Sequence, residues 1–295
     1  MTLKPTVTGN KLSAQTLDST QHYYDTSLAI EPASLQYLLL ELDQNKLKSC
    51  AYHLTKNKVV GFSILPLVGI ENNLSKTLKS ESKLNQDFEQ TILSIRTNNY
   101  TLVPRTYLGN DFETVFKLTN SFDTEHEVLL NHPMVNLRAN VLYAIPKKEH
   151  EAIKSSFSRL ALIPHIAPRI EHQLNHNSRS KGDRMVIHSN GDWLDILVFK
   201  DHELILSNCF YIASKEDVAY YTLFCAEALQ LDTEAHLMII SGAIKAKDET
   251  HDLLSKYWQN IEPASLLHNA TVSDHFPSYP TTELDYLTQS LLCAL

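Results

Sequence analysis

Apolar and polar positions along this chain follow strand and helix periods, and they do so twice in the same order. In the first half, Ser27 to Ile30 and the leucine-rich run Leu35 to Asp43 read as strands, and the polar turn Asp43-Gln44-Asn45-Lys46 leads into a third, Leu47 to Leu54. A short polar turn between apolar runs signals a hairpin. Glu71 to Asn85 reads as an exposed connection, after which Phe88, Ile92 and Ile95 recur at helical spacing. Tyr100 to Val103 predicts a strand stopped by Pro104, and Asn110 with Glu113 a capping box for a helix bearing Phe112, Val115 and Phe116. Val128 to Leu130 and Asn140 to Ile145 add strands, and Pro146 opens a helix carrying Ile153 and Phe157.

The second half repeats this order. Met185 to His188 is a strand, and Trp193 to Phe199 with Leu204 to Tyr211 forms a hairpin. Ser214 with Asp217 makes a capping box, and the helix behind it presents Val218, Tyr221, Cys225 and Ala228 on one face. The almost wholly apolar run His236 to Ile240 suits a strand buried on both faces and ends at Ser241-Gly242. A short helix near Leu253 to Trp258, a last strand over Leu266 to Val272 and a terminal helix capped by Thr282 complete the pattern. The leucine stripe of that last helix, Leu284, Leu287 and Leu291, is expected to pack against the second half. Each half runs strand, strand, strand, helix, strand, helix, strand, helix. The fold class is α/β: two mixed-sheet halves, helices on their faces, a cleft between. Residues 1–22 form a flexible N-terminal arm, 23–168 the first half and 169–295 the second.

Order within the second half carries a resemblance. Asp195-Ile196-Leu197-Val198-Phe199, Asn208-Cys209-Phe210 and Glu216-Asp217-Val218-Ala219-Tyr220-Tyr221 resemble motifs of the bacterial family domain of unknown function 3822. Thr101-Leu102-Val103-Pro104 and Val141-Leu142-Tyr143-Ala144-Ile145-Pro146 resemble its first-half signatures, and the likeness runs from about Thr26 to the C-terminus. The resemblance implies a duplicated actin-like ATPase (RNase H-like) fold, shared with hexokinase, sugar kinases and pilus-assembly ATPases. It implies no particular reaction.

Proteins of that fold hold Mg-ATP between their halves, each half supplying a hairpin turn with an Asp and glycines whose neighbouring N–H groups face phosphate. Here the first such turn is read as Glu31-Pro32-Ala33-Ser34, without Gly or Asp. The second is His188-Ser189-Asn190-Gly191-Asp192, with one Gly and a late Asp. The adenosine-facing glycine pair is reduced to Ser241-Gly242. A degenerate site of Ser34, Asn190, Gly191, Asp192, Ser241 and Gly242 follows, with no catalytic or metal-ligating residue assigned. The expectation is a non-catalytic scaffold or protein-interaction module that needs no cofactor. The alternative is an active ATPase or small-molecule kinase holding Mg-ATP in the cleft.

Composition narrows this further. The 295 residues carry only 7 glycines, too sparsely placed for a glycine-rich phosphate loop or a nucleophile elbow. A net charge of −8 argues against nucleic-acid partners. No segment reads as a signal peptide or membrane span, and the four cysteines form no C-x-x-C pair, so a cytoplasmic protein with an unidentified protein partner is expected. His172 and His176 stand four apart with no third ligand and read as a solvated pair. Glu216 and Asp217 read as helix caps, Tyr221 as core, Tyr220 as half exposed, and Asn208 as a buried amide bonded to a turn. Val59 to Ile70 is either core or a docking surface.

Overall fold

The computed structural model describes residues 21–24, 35–43, 46–67, 74, 76–77, 88–109, 111–175, 182–265, 270–274, 276 and 281–293. Residues 1–20 of the expected arm, the run Ser27 to Ile30, the turn holding Ser34, nearly all of the Glu71–Asn85 connection and His176 lie outside them, while Gln21 and His22, expected to close the arm, are paired with Ile64 and Ser63 in a strand.

By contacts the chain divides into two units, one within Arg179–Ala264 and the other within Asp18–Ser178 and Ser265–Leu295. The larger unit is built on a sheet of β1 (Gln21–Tyr24), β2 (Gln36–Asp43), β3 (Lys46–His53), β4 (Lys58–Pro66), β5 (Gln90–Ile95) and β9 (Leu160–Pro164), in the order β1-β4-β3-β2-β5-β9. β2, β3 and β4 form an antiparallel meander, while β5 joins β2 and β9 joins β5 in parallel. A second, three-stranded sheet runs β6 (Tyr100–Pro104), β8 (Ala139–Pro146), β7 (Glu127–Pro133). Helix α1 (Phe112–Lys117) lies on it, capped by Asp111, whose carboxylate accepts from the Thr114 N–H at 3.0 Å, one residue later than expected. Helix α2 (Lys147–Ser156) follows β8 directly, with Pro146 as its cap, and ends before Phe157, which is extended.

Three expectations are corrected in this unit. Phe88, Ile92 and Ile95 do not form a helix; Gln90–Ile95 is a central strand. Ile92, Leu93 and Ile95 are all buried, so the β-branched run fills both faces of the sheet and mimics helical spacing. The docking reading of Val59–Ile70 fails for the described part, because Val59, Val60, Phe62, Ile64, Leu65 and Leu67 are core. The C-terminal helix α6 (Thr281–Gln289) also packs here, Leu284, Leu287 and Leu291 joining Leu39, Cys50, Phe62 and Ile92. Helix α3 (Ile166–Leu174), buried throughout, contacts it. A two-residue strand, β15 (Thr271–Val272), pairs with β4. The contacts thus do not divide at 168/169.

The smaller unit repeats the topology with β10 (Arg184–Ser189), β11 (Trp193–Lys200), β12 (Glu203–Tyr211), β13 (Leu237–Gly242) and β14 (Asn260–Pro263), ordered β12-β11-β10-β13-β14. The sense of pairing matches β4-β3-β2-β5-β9 strand for strand. Helix α4 (Lys215–Ala228) begins at the expected capping box. Val218, Thr222 and Cys225 are buried in its core-facing side, whereas Ala228 is exposed. Helix α5 (Glu249–Leu254) starts earlier than expected, capped by Asp248. Asn208, expected to be buried, is exposed because β12 is the edge strand, and its Oδ1 accepts from the Cys209 N–H at 2.8 Å.

Candidate functional site

In open α/β sheets, ligands bind outside the carboxyl ends of the parallel strands. In the smaller unit those are the ends of β10 and β13, and four of the expected residues meet there. β10 and β13 run in parallel with His188 opposite Ser241 and Ser189 opposite Gly242. The turn Asn190-Gly191-Asp192 follows β10 and leads into β11.

Local chemistry explains this turn. Gly191 has φ +110°, a region that side chains rarely adopt, and open space where a Cβ would stand. The Asn190 N–H donates to the Trp193 carbonyl at 3.2 Å, the Gly191 N–H to Ser189 Oγ at 3.2 Å, and the Trp193 N–H to Asn190 Oδ1 at 3.0 Å. Three backbone donors of the turn are therefore bonded within it. Asp192 is exposed, and its carbonyl accepts from Ile212 N–H at 2.9 Å.

Gly242 is a different case. Its φ is +76°, and a Cβ there would lie 2.1 Å from the Ser189 carbonyl oxygen and 2.8 Å from His188 Cε1. The chain crosses directly over the end of β10, held by Ala243 N–H donating to the Ser189 carbonyl at 2.7 Å. Ser241 is buried, donates to the Ile187 carbonyl at 3.2 Å and lies 2.9 Å from His188 Nδ1.

The equivalent position in the larger unit is the end of β2 and β5. Since β2-β3 matches β10-β11 in strand order, the turn corresponding to Asn190–Asp192 is the one joining Asp43 to Lys46, and not Glu31–Ser34. Asp43, 9% exposed, ends β2. It was missed because the run Ser27 to Ile30 displaced the first strand by one element. A cavity of about 460 Å³ opens there, lined by Asp43, Arg96, Thr97, Asn99 and Glu149 among others. Its floor is fixed: the Arg96 N–H continues the β2–β5 ladder to the Leu42 carbonyl at 3.1 Å, and Thr97 Oγ1 donates to the Ala144 carbonyl at 2.9 Å. Three carboxylates, Asp43, Glu127 and Glu149, and one guanidinium, Arg96, line this cavity, an arrangement that can bind a polar ligand. Among the described residues, no group of three or more His, Cys, Asp or Glu side chains is placed to hold a metal ion.

Other singled-out residues take structural places. His172 is buried in α3, and not solvated as expected. Asp217 Oδ2 accepts from the Ala213 and Ser214 N–H groups at 2.8 and 2.9 Å. Tyr221 packs against the core, stacked on Phe210 at 4.4 Å, while Tyr220 is 61% exposed.

The model of a family described as protein of unknown function (DUF3822) matches residues 15–261. The chain belongs to this family. The match starts ahead of Thr26 and stops short of the C-terminal helix, so the family likeness reaches further toward the N-terminus and less far toward the C-terminus than the motifs alone implied. A search of curated proteins finds no match. Among solved structures, a Bacteroides thetaiotaomicron VPI-5482 protein with an actin-like ATPase fold and unknown function aligns over 88% of this chain and 96% of its own, at 17% identity and TM-score 0.71. The PilM-PilN type IV pilus biogenesis complex aligns over 88% and 97%, at 12% identity and TM-score 0.61. The fold of this DUF3822 member is that of the actin-like ATPases. Among the described residues no helix is long and apolar enough to cross a membrane.

Proposed function

We propose that this DUF3822 member is a non-catalytic protein-binding module on an actin-like ATPase fold. The observation that carries the reading is the hydrogen bonding of the β10–β11 turn, where three N–H groups, those of Asn190, Gly191 and Trp193, are already directed to Trp193, Ser189 and Asn190. A triphosphate desolvated against such a turn meets too few donors, and burying charge without them is strongly unfavourable. The same reasoning applies to Ser241, bonded to Ile187 and His188, and to Gly242, whose missing side chain makes room for the Ser189 carbonyl. These residues do not fit Mg-ATP.

A protein ligand is supported by the aromatic surface of the smaller unit. Tyr220 and Phe224, 61% and 54% exposed, stack on α4, and Tyr211 on the edge strand β12 is 61% exposed. Aromatic side chains are enriched where proteins meet. The complex of PilM with PilN is a precedent for this fold engaging a protein. A cytoplasmic setting is part of the same proposal.

The second reading, an ATPase or small-molecule kinase, is favoured by Asp43 and Arg96 in the polar cavity of the larger unit. Thermal unfolding with and without millimolar Mg-ATP, together with an ATP-turnover assay, separates the two. The first reading predicts an unchanged Tm and no turnover. A Tm raised by several degrees, as mass action requires for tight binding, with turnover abolished by Asp43→Asn, establishes the second.

A further inference from the structure

Apart from the polar cavity, the larger unit holds a second one, of about 360 Å³, between α2 and strands β7 to β9. Leu130, Tyr143, Phe157, Leu160 and Leu162 give it its apolar wall, with Asn131 and Ser158 as neutral polar neighbours. Its basic lining among the described residues consists of His150 and Lys154. These two stand four residues apart on α2 and so share a helix face.

We propose that this cavity binds a small amphipathic carboxylate, its head on Lys154 and His150 and its apolar body against Tyr143, Phe157 and the leucines. Three observations converge on this ligand class. The volume lies within the range of small-molecule sites, about 300–1,000 Å³, which are mostly apolar with a few placed polar groups. The cavity runs from an exposed cation, Lys154, to a buried ring, Tyr143, whose hydroxyl is already donated to the Leu162 carbonyl at 3.3 Å and so leaves the deep end apolar. No carboxylate stands in the lining among the described residues, and burial first, then the charge of Lys154, partly offset by Glu151, holds His150 below its ordinary affinity for protons, so at neutral pH its ring is an uncharged hydrogen-bond donor beside the cation Lys154. The backbone favours the same geometry, because α2 ends at Ser156 and the extended Phe157 lines the cavity instead of continuing the helical face expected from the sequence. This site is independent of the protein-binding reading.

The test is calorimetric titration of the full chain with octanoate, and with octylamine as a probe of equal length and opposite charge. Octanoate should bind saturably at one site and perturb the ring signals of His150 in NMR spectra. Octylamine should bind at least tenfold more weakly. Lys154→Gln should weaken octanoate about tenfold, and Lys154→Glu should abolish binding; Lys154 is exposed, so both variants keep the fold. Octanoate that fails to bind, octylamine that binds as tightly, or a Lys154→Glu protein with unchanged affinity overturns the proposal. Binding that leaves the His150 signals unmoved also overturns it.

Discussion

Replacing Gly242 by Ala separates a structural glycine from a ligand-facing one. An L side chain at φ +76° costs about 1–2 kcal/mol in backbone conformation. The new methyl would also stand 2.1 Å from the Ser189 carbonyl oxygen, and that atom cannot swing aside because it accepts the Ala243 N–H and ends β10. Forcing such an overlap costs about 1–3 kcal/mol more. Together the penalty is about 2–5 kcal/mol. For a unit of this size each kcal/mol moves Tm by about 4–8 °C, so the unit should melt about 8–40 °C lower. Gly191→Ala is the control. It carries a positive φ of +110° but meets nothing within 4 Å, so it should lose only the backbone portion, about 1–3 kcal/mol. Circular dichroism melts of the two variants and the parent decide the matter. A Gly242→Ala protein as stable as Gly191→Ala would refute the close approach.

Lys48 and Glu41 form a buried pair at 2.8 Å, each about 3–4% exposed, so Lys48→Met should cost about 3–5 kcal/mol in urea unfolding, and adding Glu41→Leu should recover most of it. Tyr286 donates to the His165 carbonyl at 2.7 Å and meets Ser94 Oγ, so Tyr286→Phe should lose about 1–3 kcal/mol of the larger unit's stability, measured by chemical denaturation. His132 is buried and its pKa is pushed down by burial to about 4, whereas an unfolded His titrates near 6.5. The unfolded chain therefore binds a proton that the folded one refuses, and stability is lost as pH falls from 6.5 toward 4. The loss should reach about 2 kcal/mol by pH 5, and the His132→Phe protein should lack that component in urea titrations at the two pH values.

What was legible in the sequence was whatever local chemistry alone decides. The Ser214–Asp217 box, the β11–β12 hairpin and the apolar run of β13 appear where residue pattern placed them. Elements that depend on distant partners were not legible. β5 is buried on both faces, so its Ile92 and Ile95 show no alternation to distinguish strand from helix. Likewise, the stripe Leu284, Leu287 and Leu291 has a helical period but no mark of its destination, which is the sheet of β2 and β3 more than two hundred residues earlier. For the candidate site, Asn190, Gly191, Ser241 and Gly242 were readable as turn and strand-end residues, and the structure brings them together. Asp43 was passed over because only strand order identifies β2–β3 as the counterpart of β10–β11.

Loss of nucleotide binding requires that the backbone donors of one turn be satisfied within the chain. Amide NMR of the labelled protein tests this directly, by following the N–H resonances of Asn190, Gly191 and Trp193 as Mg-ATP is added to millimolar concentration. Unmoved resonances, with hydrogen exchange as slow as before, are the predicted result; saturable shifts of all three amides upon Mg-ATP addition would contradict it.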